Sequence, residues 1–331
     1  MGEKIVLGIE STAHTFGVGI ATSEKRILAN VNYTYRPPSG GIHPREAAQH
    51  HSKLAPKAVK EALEKAGISP RELDGIAFSI GPGMGPCLRV GATVARALAL
   101  SLGKPLLPVN HGIAHIEIGR LTAGCRDPVI LYVAGGNTLI TGYLDGRYRI
   151  FGETLDIAAG NCLDVFGIKA GIGPMPAPEE CARRGGKFHP LPYRVKGMDV
   201  SFSGLLTAAL KALEGGMKLE DVCFSLTETV YSMLTETLER ALAFSGKSEI
   251  LIVGGLARSR RLGEMIESMA RLHDARVYRV PDQYAGDNGA MIAWTGVLYL
   301  LAGQMIHVEE SRIRPRYRID EAEAAWREMG L

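Results

Sequence analysis

IVLGIEST (5–12), FGVGIATSE (16–24) and RILANVNYT (26–34) open the chain as three apolar runs separated by short polar turns. Their β-branched residues and period-two alternation predict strands joined as hairpins. The same plan returns as VILYVAGGN (129–137), TLITGYLDG (138–146) and RYRIFGET (147–154). In each copy the first turn is small and polar, EST and then GGN. A helical stretch follows each meander, at 44–66 in the first copy and about 157–170 in the second. Repetition on this scale predicts two α/β units of one ancestral plan.

The rest of the chain keeps the alternation. Strand GIAFSIGPG leads to helix CLRVGATVARALALSLG and strand PLLPVN. Later, strand EILIVGG leads to helix RRLGEMIESMARL, strand RVYRV and helix NGAMIAWTGVLYLL. The expected division is an N-terminal lobe over 1–127 and a C-terminal lobe over 128–331, with a helical insertion around 157–246.

At 331 residues and 46% hydrophobic content, two domains can each bury a core without disulfides or structural metal. The five cysteines are scattered, odd in number and contain no C-x-x-C pair, which argues against a zinc ribbon and a secreted disulfide framework. No apolar run is long enough to span a membrane, and the start reads as a strand without a signal-peptide core. A cytoplasmic protein with no membrane association is expected. A net charge of +3 excludes a bulk polyanion binder but leaves room for a local basic surface. SRIRPRYRID (311–320), with Arg312, Arg314, Arg316 and Arg318, is the clearest stretch of that kind. It reads as a solvated tail or as a nucleic-acid contact.

Tight glycine turns expose backbone N–H groups to anions, so a turn facing a cleft can hold the phosphates of a nucleotide. AGGNT (134–138) is the stronger turn: Gly135 and Gly136 permit close approach, and Asn137 and Thr138 add donors. Alone it also reads as an ordinary hairpin turn. There is no G-x-x-x-x-G-K-[ST], which excludes a P-loop. GPGMGP (81–86) follows a strand and precedes a helix. It carries two prolines, and no acidic residue ends the following strand, so it is not a dinucleotide loop.

NHGIAHIEIGR (110–120) places His111 and His115 one helical turn apart, on one face. That spacing permits a metal without requiring one. Gly112 stands where H-E-x-x-H needs its glutamate, and Glu117 points to another face, which disfavours metalloprotease chemistry. Further ligands would have to come from elsewhere. Asp287 precedes a long apolar helix and reads equally as its N-cap. Tyr132 lies on the strand entering the glycine turn and reads equally as core.

GIESTAHTFGVGI, GIHPREAAQHH, GPGMGPCLRVGA, VNHGIAHIEIGR, LYVAGGNT, GETLDIAAGNCLDVF, SFSGLLTA, IVGGLARSRRL and GDNGAMIAW occur together and in this order. In this the chain resembles the TsaD/Gcp family over about residues 4–325. HPREA and GPGMGPCLRVGA resemble its archaeal and eukaryotic branch, the catalytic subunit of the KEOPS complex. The resemblance implies an actin-like, sugar-kinase-like (ASKHA, ribonuclease H-like) fold of two lobes around a central cleft. It implies transfer of threonylcarbamoyl from threonylcarbamoyl-adenylate to the adenosine 3′ of the anticodon, in tRNAs reading codons that start with A. Members once carried the label O-sialoglycoprotein endopeptidase, which the missing glutamate gives no reason to revive.

The resemblance also implies site residues. His111, His115, Tyr132 and Asp287 match ligands of an iron or zinc ion. Tyr132, Val133, Ala134, Gly135, Gly136 and Asn137 match the phosphate-proximal segment, and Asp164 the acid that holds the nucleoside side of ATP or the adenylate. Two positions depart from the family. GIGPMPAPEECARRGG (171–186) replaces a PGGPxIE stretch, so Ala177 stands at a glycine position, and the matching acid is Glu179, with Glu180 the alternative. Ser259 replaces the usual asparagine, offering one hydroxyl in place of an amide. No residue stands out as the base that accepts the amine proton. The expected partners are tRNA and the other KEOPS subunits, a small atypical protein kinase among them. A small-molecule kinase of the same fold and a non-catalytic nucleotide-binding protein are the alternatives, with a metallopeptidase the least favoured.

Overall fold

The computed structural model describes residues 2–37 and 41–330. They fall into two compact units. The first contains residues 1–122, 144–148 and 287–331, and the second 123–143 and 149–286.

In the first unit, β1 (Ile5–Glu10), β2 (Thr15–Thr22) and β3 (Ile27–Thr34) form the meander, followed by α1 (Pro44–Ala66). Pro44 at the first helical position and left-handed Gly67 just past the end bound α1, the asymmetry expected of helix termini. β4 (Gly75–Gly81), α2 (Gly85–Leu102), β5 (Leu106–Asn110) and α3 (His111–Ala123) follow. The sheet order is β3-β2-β1-β4-β5. β1–β2 and β2–β3 pair antiparallel, while β1–β4 and β4–β5 pair parallel.

The second unit begins with β6 (Val129–Val133), β7 (Thr138–Leu144) and β8 (Arg147–Glu153). The helical stretch holds α4 (Ala159–Lys169), α5 (Ala177–Ala182), the short pair β9 (Val195–Lys196) and β10 (Asp199–Val200), α6 (Ser203–Glu214) and α7 (Leu219–Ser245). β11 (Glu249–Val253), α8 (Arg260–Leu272), β12 (Arg276–Arg279) and the single-turn α9 (Asp282–Ala285) complete it. Its sheet order is β12-β11-β6-β7-β8. Matching β6 to β1, β7 to β2, β8 to β3, β11 to β4 and β12 to β5 makes the two orders identical, so the repeat legible in the sequence is a repeat of topology.

The chain returns to the first unit with α10 (Gly289–Leu301), which lies on β1 and β2. Glycines make that packing possible. A Cβ added at Gly8 would stand 2.1 Å from the backbone nitrogen of Ala293, and one at Gly19 would stand 2.4 Å from that of Ala290. Helix backbone thus rests on strand backbone. Side-chain amides fix its start: Asn32 Oδ1 accepts from the Gly289 N–H at 3.0 Å and Asn30 Oδ1 from the Ala290 N–H at 3.3 Å. Apart from these amide contacts, the helix is apolar and buried almost all round, as an internal helix must be.

The arginine-rich segment is docked along its backbone. The Arg314 N–H donates to the Ile80 carbonyl at 2.8 Å, and the Pro315 carbonyl accepts from the Gly83 N–H at 3.1 Å. Arg314 stacks on Tyr317 and pairs with Glu321 at 2.9 Å, and Arg318 pairs with Asp320 at 3.2 Å. The GPGMGP loop is therefore packing surface for residues 314 and 315. The four arginine side chains remain exposed.

Asp156 organises the start of the helical stretch in the second unit. Its carboxylate accepts from the Ile157 N–H at 2.7 Å, the Phe202 N–H at 2.8 Å, the Ser203 N–H at 3.1 Å and the Ser201 hydroxyl at 2.6 Å. Burial pushes its pKa up, but these donors outweigh it, led by Ser201, and hold the carboxyl at about 2. A carboxyl with a depressed pKa stabilises the fold above its unfolded value of roughly 3.9, and that stability disappears as pH falls toward 2. The melting-temperature gap between the natural protein and Asp156→Asn is expected to be widest above pH 5 and to close between about pH 4 and 2. Melting curves over that range check it; a gap independent of pH would remove the carboxylate from the account.

Candidate metal centre and nucleotide subsite

β5 delivers the first histidine. Asn110, its last residue, accepts from the Gly112 N–H at 2.9 Å and the Ile113 N–H at 3.2 Å, which satisfies two of the otherwise unpaired donors opening α3. Its Nδ2 donates to the carbonyls of Tyr317 and Arg318 at 3.1 and 3.2 Å. With the helix start fixed, His111 and His115 fall on one face, their rings edge to face with centroids 4.8 Å apart.

Asp287 meets both. Its Oδ1 lies 3.5 Å from His111 Nε2 and 3.2 Å from His115 Nε2. The side chain is available because it does not cap α10: Asn288 does, its Oδ1 accepting from the Met291 N–H at 3.0 Å. The cap and the aspartate are adjacent residues with separate duties. Ligand atoms of His111, His115 and Asp287 all lie within 4.8 Å of one another.

Glu10, at the end of β1 and fully buried, sits behind His111. Its Oε2 is 2.9 Å from His111 Nδ1, while its Oε1 accepts from the Thr12 N–H at 2.6 Å and from the Thr12 hydroxyl. In the neutral imidazole a carboxylate at Nδ1 keeps the proton there and frees Nε2, on the Asp287 side, for a metal. Burial pushes the His111 pKa down, but the Glu10 and Asp287 carboxylates prevail and raise it to about 9. For Asp287, burial pushes upward and the two histidines pull it well below the usual carboxylate range. Burial lowers the His115 pKa. One buried and one half-buried carboxylate, Glu10 and Asp287, against two imidazoles make a site that favours positive charge. The donor set, two nitrogens and an oxygen from buried, pre-oriented side chains, fits iron or zinc.

Glu117 does point elsewhere. It accepts from the Tyr148 hydroxyl at 2.5 Å, Trp326 Nε1 at 3.0 Å and Arg120 at 2.5 Å, tying residues 148 and 326 to α3.

The remaining expected residues lie in the second unit: the 132–137 segment and Ser259 at the C-terminal ends of β6 and β11 and the loops beyond them, where α/β sheets bind ligands, and Asp164, Ala177 and Glu179 on α4 and α5. Tyr132, on β6, is buried, and Asn137 Nδ2 is 3.4 Å from its hydroxyl. The turn beyond it is closed by the Ala134 N–H donating to the Asn137 carbonyl at 2.9 Å. Gly135 and Gly136 are exposed, and an added Cβ at either meets nothing within 4 Å, so the fold itself does not demand glycine there. Gly254, after the neighbouring β11, is demanded: its φ is +91°, and a Cβ would stand 2.3 Å from the Val133 carbonyl. Asp164 on α4 accepts from the Met175 N–H at 2.8 Å, and burial raises its pKa.

Ala177 opens α5, placing Glu179 and Glu180 in its first turn. Glu179 is buried and Glu180 exposed. Only Glu179 lines the adjoining cavity of about 370 Å³, together with Thr227, Glu228, Tyr231, Arg260 and Arg261. Ser259 is the N-cap of α8, its Oγ accepting from the Leu262 N–H at 3.1 Å. The structure brings together His111, His115 and Asp287 in the first unit, while Tyr132 to Asn137, Asp164, Ala177, Glu179 and Ser259 all belong to the second. Glu10, Asn110, Asn288 and Tyr231 went unread in the sequence. Glu10 carried one signal, an acidic residue closing an otherwise apolar strand.

Two mixed five-stranded sheets of identical order, with loops at the ends of parallel strands, define an α/β protein of the actin-like, sugar-kinase-like fold. Solved structures agree on the fold. T. kodakarensis HypF is similar with a TM-score of 0.62 at 16% identity, over 90% of this chain and 48% of that one, so the chain spans about half of that protein. The ROK hexokinase from Thermus thermophilus is similar with a TM-score of 0.52 at 15% identity, over 91% and 99% of the two chains. Residues 26–294 match the model of the TsaD family, tRNA N6-adenosine threonylcarbamoyltransferase, and the chain is 61% identical over 325 residues to the protein of that name from Thermofilum pendens, covering 97% of each. The chain belongs to the TsaD family.

Proposed function

We propose that the protein is a tRNA N6-adenosine threonylcarbamoyltransferase that takes threonylcarbamoyl from threonylcarbamoyl-adenylate and places it on N6 of the adenosine 3′ of the anticodon, in tRNAs reading codons that start with A. The observation that carries the reading is near-full-length identity of 61% to a protein of that name. The buried His111–His115–Asp287 cluster supports it from the chemistry.

An adenylate is a mixed anhydride, so its carbonyl is already activated and AMP is a competent leaving group. What remains is to hold it, to bring a weakly nucleophilic aromatic amine to the carbonyl, and to stabilise the charge that develops. His111, His115 and Asp287 would hold an iron or zinc ion, with Tyr132 as the ligand the family resemblance adds. A divalent ion bound there supplies Lewis-acid polarisation of phosphate and carbamoyl oxygens. Glu10 keeps His111 in the tautomer that offers Nε2. The exposed Gly135 and Gly136 present N–H groups, with no side chain in the way, to the phosphate. Asp164 and Glu179 hold the nucleoside end through its hydroxyls.

A net charge of +3 is small for a protein that must grip a whole tRNA, which favours other subunits supplying much of the RNA affinity. The KEOPS subunits, including a small atypical kinase, are the proposed partners, in the cytoplasm. No helix among the described residues is long and apolar enough to cross a membrane.

The test is nucleoside analysis after incubating the protein, with and without those subunits, with synthetic threonylcarbamoyl-adenylate and unmodified tRNA. Threonylcarbamoyladenosine is the expected product. Unmodified tRNA in both arms, with nucleotide-dependent phosphorylation of a small molecule instead, would replace this reading with that of a kinase.

A further inference from the structure

We propose that Tyr231 is a positioning residue: its hydroxyl aims the Glu179 carboxylate at the nucleoside. The proposal rests on the nucleotide-binding role assigned to Glu179 above.

Tyr231 lies on α7, is fully buried and lines the same cavity as Glu179, and its hydroxyl sits 3.2 Å from Glu179 Oε2. An ionised carboxylate can only accept, so the Tyr231 hydroxyl donates its proton to Glu179 Oε2.

Arg183 holds Glu179 less firmly. It comes within 3.9 Å of Oε1 from the solvent side, and its side chain is 66% exposed. α5 is only six residues long, so the helix itself is a weak anchor. With Oε2 fixed by tyrosine, Oε1 remains for a ligand hydroxyl.

Three variants test this: Tyr231→Phe, Glu179→Ala and the double variant, each titrated with AMP by calorimetry and assayed for transfer. Tyr231→Phe keeps the ring and the packing, so its melting temperature is expected to stay close to that of the natural protein. It should weaken AMP binding about tenfold and raise KM for the adenylate by a similar factor, with kcat nearly unchanged. In the Glu179→Ala background the same substitution should cost nothing further. An equal penalty in both backgrounds, or a fall in kcat with KM unmoved, would overturn the positioning role. Unaltered AMP binding by Glu179→Ala alone would instead overturn the nucleotide reading beneath it.

Discussion

The His115→Ala protein is expected to lose its metal and, with it, at least about 10²-fold in single-turnover transfer. His115 is 1% exposed and offers Nε2 at 3.2 Å from Asp287 Oδ1, so its removal leaves two of the three side chains that cluster there among the described residues. Elemental analysis of the purified variant gives the metal content independently of activity. Because deleting a buried ring also leaves a cavity, Asp287→Asn serves as the isosteric companion. It should fold normally and show the same loss of metal. Glu10→Gln, which disturbs only the partner behind His111, should weaken metal binding by about 10- to 100-fold and lose less activity than either. Full metal content in both ligand variants would move the ion elsewhere.

The second large effect lies outside the site. Gly8→Ala introduces a Cβ 2.1 Å from the Ala293 nitrogen, a backbone atom with no freedom to step aside. α10 must lift from β1. A loss of about 3 kcal/mol or more is expected, at the upper end of what overpacking costs. Metal affinity should fall as well, because Asp287 is carried on the N-terminus of this helix and is placed by Asn288, Asn32 and Asn30. Denaturant unfolding and metal titration on the same preparation measure both. An exposed glycine with open space around it, such as Gly67, is no control because its φ is +67°. Gly204→Ala, where an added Cβ meets nothing within 4 Å, should leave stability within about 0.5 kcal/mol. Gly8→Ala matching it would show that the helix does not depend on contact with β1.

The fold was legible where local chemistry and pattern agreed. α1 runs over 44–66 and α8 over 260–272 as the sequence predicts, because proline, glycine and a capping serine mark their ends. The repeated meander was legible because period-two alternation survives duplication. The packing of α10 against β1 was not, since glycines in a strand announce a close approach without saying what approaches. At the site, the i, i+4 histidines were legible as a pair, while the choice between cap and ligand for Asp287 depended on its neighbour. Asn288 takes the cap, and no spacing rule distinguishes two adjacent side chains that can both do so. Glu10 and Tyr231 are separated from the residues they hold by 101 and 52 positions, a distance only the fold closes.

If His111, His115 and Asp287 hold the ion, transfer must depend on it. The decisive measurement is single-turnover transfer by chelator-treated protein titrated with iron(II) or zinc(II), with bound metal counted in each sample. Transfer should be absent from the stripped protein and should rise in proportion to bound metal, reaching its limit at about one ion per chain. Full transfer by protein that carries no ion would contradict it.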